Sequence, residues 1–151
     1  MIARDLAVPC PSIGMDDDAM DAVRLMAEKR LPGIVVCEPD GRPTRILPGS
    51  QVLRFVSPRD VQDDVALARV IGERASERML SELSGRKVRD LLPSRPETDL
   101  AVANPDDTVL ELAVMMARAH SPLVAVVEDR RLIGCITLPR VLDVLLATRS
   151  A

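Results

Sequence analysis

The sequence predicts an α/β (α+β) fold of two repeated units, each a helix, a β-hairpin and a second helix behind a short opening segment, with a helical insert between them. Three observations predict it. The chain resembles itself when it is shifted by about ninety positions. Each copy carries apolar residues at helical spacing, and in each copy that helix is followed by two β-rich runs joined by a polar turn.

The repeat is read residue by residue. Leu25-Met26-Ala27 falls on Met115-Met116-Ala117, Pro32 on Pro122 and Glu38 on Glu128. Ala19, Ala22, Val23 and Met26 fall on Val109, Leu112, Ala113 and Met116, the i, i+3, i+4, i+7 pattern of an amphipathic helix. Thr108 and Glu111 form a capping-box pattern, and Asp18 and Asp21 stand at the equivalent positions, where acidic residues suit a first turn. Strands are expected over Ile34 to Cys37 and Leu123 to Val127, each returning through a turn to Thr44 to Leu47 and Leu132 to Thr137. Asp40-Gly41 is a strong turn signal; Asp129-Arg130-Arg131 is a weaker one. A second helix is expected from Ser50 to about Phe55 and from Leu138 to about Ala147, and Arg4-Asp5-Leu6 and Arg89-Asp90-Leu91 open the two units.

Ser57-Pro58 breaks the chain after the first copy. Residues from Val61 to Leu83 then read as helical, with Val65, Ala68, Ile71, Met79, Leu80 and Leu83 available for packing and Gly85 suited to a C-terminal cap. The insert covers the core in one reading; in the other its alternating Arg and Glu make a docking surface. The boundaries that follow are a first unit over 1–57, the insert over 58–86 and a second unit over 87–151, together one module.

Composition narrows the function. Of 151 residues, 20 are basic and 23 acidic, a net charge of −3 that offers no field for a phosphate backbone. With no Trp, no Tyr and Phe55 alone among aromatics, the faces that stack unpaired bases are missing, so no nucleic-acid partner is expected. The opening Met-Ile-Ala-Arg-Asp lacks the apolar stretch of a secretory signal, and no segment reaches the apolar length of a membrane span. A cytoplasmic protein without direct membrane insertion is expected. Cys10, Cys37 and Cys135 are odd in number and far from zinc spacing, which reads as buried free thiols. Neither a glycine-rich phosphate loop nor a nucleophile with a base is recognisable, so the chain is not expected to be an enzyme and needs no cofactor. Asp16, Asp17 and Asp18 suit helix capping better than a cation site, and His120 reads as a helix-end residue.

The order helix, hairpin, helix, occurring twice, resembles the cystathionine β-synthase (CBS) domain pair, also called a Bateman module. The run from Leu132 to Leu142 is similar to the family's second hairpin strand passing through Gly-x-x-Thr into the last helix. Pro32-Gly33-Ile34-Val35-Val36 and Pro122-Leu123-Val124-Ala125-Val126 resemble the strand before it. The resemblance implies a regulatory tandem repeat of two pseudo-symmetric βαββα units packed through their sheets, whose clefts commonly bind AMP, ADP, ATP or S-adenosylmethionine, that pairs into a homodimer, and that acts in trans on an effector protein. It also implies a nucleotide cleft at Thr137, Arg140, Pro122, Leu123, Val124, Gly33, Ile34 and Gln51. The family pattern there is Thr or Ser, two residues, then a ribose-binding Asp. Thr137 keeps the first position, but Arg140 stands at the second; in the first copy Pro48 and Gln51 occupy the two, with Gly49-Ser50 expected to form a turn capped by the Ser50 hydroxyl. Two readings of each residue stand side by side. Thr137 is a ligand contact or a plain cap, and Arg140 is a phosphate partner or a solvated first-turn residue. A module whose clefts have lost their ligand and which only dimerises is the alternative for the whole.

Overall fold

In the computed structural model, which describes residues 1–57, 66, 74–95 and 99–149, the apolar runs form two three-stranded sheets. The helices are α1 (Ala3–Leu6), α2 (Ala19–Lys29), α3 (Gly49–Val56), α4 (Arg74–Leu83), α5 (Val88–Leu91), α6 (Val109–Ala119) and α7 (Leu138–Arg149). The strands are β1 (Ser12–Ile13), β2 (Gly33–Cys37), β3 (Pro43–Pro48), β4 (Ala101–Ala103), β5 (Leu123–Glu128) and β6 (Arg131–Thr137). Each unit is thus βαββα, with β1 parallel and β3 antiparallel to β2, and β4 and β6 placed likewise about β5.

β2 and β5 read as unbroken apolar runs because they are central strands with both faces covered. Side chains alternate along a strand, so Ile34 and Val36 face the helices of their unit while Val35 and Cys37 face the other sheet. In the second unit Val124 and Val126 face helices, and Leu123 and Ala125 meet Val35, Cys37 and Ile46 in the layer between sheets. Both hairpins slip register at the same repeat position, between Val36 and Cys37 and between Val126 and Val127. The β5–β6 turn places Asp129 and Arg130 at φ 51° and 66°, a turn whose twist matches the strands, so its weak sequence signal still makes a tight hairpin.

The two opening helices are exchanged. α1 was expected to open the first unit, yet Ala3 and Leu6 are buried in the core of the second, beside Leu112, Met116 and Ile136. α5 does the reverse, burying Val88 and Leu91 against Ala22, Met26 and Leu47. The docking contacts mirror each other: Ala3 N donates to Asp107 O and Arg4 N to Pro105 O, each at 2.8 Å, while Val88 N donates to Asp17 O at 2.9 Å and Arg89 N to Met15 O at 3.0 Å. Ion pairs clasp both helices, Arg4 with Glu128 at 2.8 Å, Arg89 with Asp16 at 2.7 Å and Lys87 with Asp18 at 2.9 Å.

Those pairs correct the reading of the acidic run. Asp18 holds the N-cap position of α2, but its side chain makes no capping bond and accepts from Lys87 instead; Asp17 accepts from Gly14 N at 2.6 Å. Thr108 and Glu111 do form the capping box expected of them, Thr108 N donating to Glu111 Oε2 at 2.7 Å and Glu111 N to Thr108 Oγ1 at 3.3 Å. Those bonds hold the Glu111 carboxyl below its ordinary value. The Ser50 cap is also corrected. α3 begins one residue earlier, at Gly49, whose N–H donates to Pro32 O at 2.8 Å, and Ser50 lies inside the helix. In the insert, Met79 and Leu83 pack on the first core and Leu80 is exposed; Val65, Ala68 and Ile71 lie outside the described residues. Gly85 takes φ 74° just past α4, the conformation a helix end asks of glycine.

Candidate functional site

The two units repeat one loop, and the two copies of it meet. α2 and α6 both end in a left-handed residue, Arg30 at φ 52° and His120 at φ 51°, and each is followed by a turn to the proline before the central strand. The next helix is pinned to that proline, Leu138 N donating to Pro122 O at 2.9 Å as Gly49 N does to Pro32 O. Between the loops lies a cavity of about 420 Å³ lined by Arg30, Leu31, Pro32, Pro122, Thr137, Leu138 and Pro139. Its walls are aliphatic, with one hydroxyl and one guanidinium. Such a lining can hold a flat ring between proline and leucine side chains while the cation faces an anionic group.

Of the eight residues expected at a nucleotide cleft, Pro122 and Thr137 are brought together here. Arg140 is exposed on the first turn of α7 and is not part of the cavity wall. Leu123, Val124 and Ile34 are core side chains, 0–1% exposed, and Gly33 is buried with Leu47 O only 3.1 Å from where a Cβ would stand. Gln51 is committed elsewhere, its Nε2 donating to Leu91 O at 3.0 Å and so holding the exchanged helix α5. Sequence reasoning missed Leu31, Pro32, Leu138 and Pro139 in the wall and, as its one charged group, Arg30. Its equivalence to His120 in the repeat was the available signal.

The start of α7 is a poor anion cradle by backbone alone. Leu138 N is engaged by Pro122 O and Pro139 has no N–H, so two of the three first-turn positions offer no donor. Charge for an anion must come from side chains.

Two further hollows mark the surface. A groove of about 470 Å³ between α6 and α7 is lined by His120, Ser121 and Pro122 and by Met116, Val141, Leu142 and Leu145. A polar hollow of about 650 Å³ in the first unit contains Asp16, Asp17, Glu38 and Arg89. Among the described residues no cluster of His, Cys, Asp or Glu is arranged to hold a metal ion, and no helix is long and apolar enough to cross a membrane.

Comparison with known proteins agrees with this architecture. The family model described as CBS domain matches residues 3–58 and again 88–147. The chain is 47% identical to a CBS domain-containing protein of unknown function from Kribbella flavida, over 97% of this chain and 99% of that one, with a TM-score of 0.81. It shares its fold with CBSX2 of Arabidopsis thaliana in complex with AMP (20% identity, 98% of each chain, TM-score 0.66). It likewise shares the fold of the CBS domain pair of protein MJ0100 in complex with 5′-methylthioadenosine and S-adenosyl-L-methionine (15% identity, 96% and 99% coverage, TM-score 0.66). No curated protein matches the chain.

Proposed function

The chain belongs to the CBS domain family, and from that premise we propose that it is a non-catalytic, cytoplasmic regulatory module that senses an adenosine-type nucleotide or related metabolite and acts in trans on a partner protein. The observation that carries the reading is the cavity at the seam, where both copies of the proline loop surround one hydroxyl and one guanidinium. A ligand there touches both units at once, so its binding energy depends on their relative placement and biases any equilibrium between placements. The structures with AMP and with S-adenosyl-L-methionine bound to other CBS pairs support the ligand class. The free cysteines suit a reducing compartment.

Phosphate is the group this cleft is equipped to hold. Arg30 supplies a cation in the wall and Arg140 a second one outside it on the first turn of α7, while the position of the family's ribose-binding Asp carries that Arg140, which cannot accept a hydrogen bond. Calorimetry with adenosine, AMP and ATP tests this on the parent, Arg30→Ala and Arg140→Ala. ATP should bind more tightly than adenosine, and removing the cations should weaken ATP by about ten- to a hundredfold, the range of a charge-assisted contact worth about 1.5–3 kcal/mol, while leaving adenosine unchanged. Equal binding of adenosine and ATP in all three proteins would end the phosphate-led reading.

A second reading has its own support. Gln51 is committed to Leu91 O and the α7 backbone has few free donors, which suits a module that has given up its ligand and works by dimerisation alone. Absence of binding by every nucleotide and by S-adenosylmethionine, with dimerisation intact, would establish it.

A further inference from the structure

All three cysteines gather around the layer between the sheets. Cys37 and Cys135 are buried in it and half-buried Cys10 packs against it. The backbone brings Cys10 there. Residues 7–11 leave α1, docked on the second unit, and cross to β1 of the first; on the way Val8 and Cys135 exchange two backbone hydrogen bonds of 3.0 Å each. The crossing strand lies so close to β6 that a Cβ on Gly134 would stand 2.8 Å from Val8 O. Two residues beyond Val8, Cys10 packs against the same layer as Cys135, and the interaction of the two thiols raises the pKa of Cys10 and lowers that of Cys135. Cys37 is placed differently, its thiol pushed up chiefly by burial.

We propose that Cys10 and Cys135 form a disulfide under oxidation, a covalent clamp between the crossing segment and the sheet of the second unit. The oxidant is a small-molecule disulfide such as oxidised glutathione. Cys135 loses its proton first and takes up that of the adjoining Cys10 thiol, and the Cys10 sulfur, the more exposed of the two, attacks one glutathione sulfur as the thiolate so formed; the glutathione disulfide breaks and one glutathione leaves as a thiolate that takes up a proton. The Cys135 sulfur, 0% exposed, then loses its proton, attacks the Cys10 sulfur as its thiolate and displaces the second glutathione, which takes up a proton. Two protein thiols are oxidised to one disulfide, and one glutathione disulfide is reduced to two thiols. The closed loop runs from residue 10 to residue 135, nearly the whole chain, and so constrains the unfolded state strongly.

The full chain is incubated with oxidised glutathione at mildly alkaline pH, quenched in acid, unfolded, alkylated and mapped by mass spectrometry. The expected product is lighter by two hydrogen atoms, with the Cys10 and Cys135 peptides joined, Cys37 alkylated, and a melting temperature that rises and then falls back on adding dithiothreitol. Cys37→Ala should keep the linkage, and Cys10→Ser should lose both the linkage and the stabilisation. Should either variant fold poorly, the map of the parent chain decides alone. Three alkylated thiols, a bond to Cys37, a bond between chains, or glutathione left on Cys10 without closure would each overturn the proposal.

Discussion

Gly134 is where backbone contact leaves no room for a side chain. Val8 O lies 2.8 Å from the place of its missing Cβ and the Ala7 methyl 3.2 Å away, so Gly134→Ala must push the crossing segment off β6. The first of those neighbours is backbone and cannot swing aside. We expect a loss of about 1–3 kcal/mol, typical of overpacking, seen as a lower melting temperature; an unchanged melt would show that the contact yields freely. The equivalent position in the first unit carries Arg45, whose guanidinium donates to Pro93 O at 2.9 Å, so the two linkers are held differently despite the repeat. The glycine was visible in the sequence as part of Gly-x-x-Thr. Its reason was not, because Val8 and Gly134 meet only after folding. Gln51 and Asp16 escaped the sequence for the same cause, their partners Leu91 and Arg89 being far along the chain. Ser50 was misread because nothing local reveals that Pro32 O engages Gly49 N.

At the scale of elements, periodicity made the hairpins and the long helices legible, since each pattern records burial of one face. The short helices α1 and α5 were legible as elements too, through Arg-Asp-Leu in both. Their destination was not, because two apolar residues on a single turn fit either core equally well. Leu6→Ala tests the exchange. Leu6 is 1% exposed, and its truncation should cost about 2–5 kcal/mol. Hydrogen exchange should then quicken first in α6 and β4 of the second unit, which Leu6 covers, with α2 still protected. Faster exchange confined to α2 would place α1 on the first unit after all. Acid should loosen the same element. Arg4 holds the Glu128 carboxyl below its ordinary value, so this contribution is present above the unfolded carboxylate pKa and is lost as pH falls through the lower folded one.

For the whole molecule, α7 is decisive. Val141 is its one buried residue, while Leu138, Leu142, Leu145 and Leu146 are 42–65% exposed along a stripe beside the α6–α7 groove. A stripe of that kind is what an isologous partner covers, and we expect light scattering to return a dimer mass that Leu142→Asp reduces to a monomer. With no Trp or Tyr, concentration must be read by refractive index. A monomer mass for the parent at micromolar concentration would remove the claim. The isolated segment 87–151 should not melt cooperatively, since it lacks Ala3 and Leu6 and carries Val88 and Leu91 with nothing to bury them; a cooperative monomeric melt would contradict the exchange. The exchange also sets a timetable during synthesis. A ribosome releases the chain from its N-terminus, and N-terminal domains ordinarily fold as they emerge. Here the first unit cannot close until Leu91 has left the exit tunnel, whereas α1 is made well before the sheet it docks on. The first half therefore stays unfinished until the opening helix of the second has been made, and α1 stays undocked until the second sheet exists.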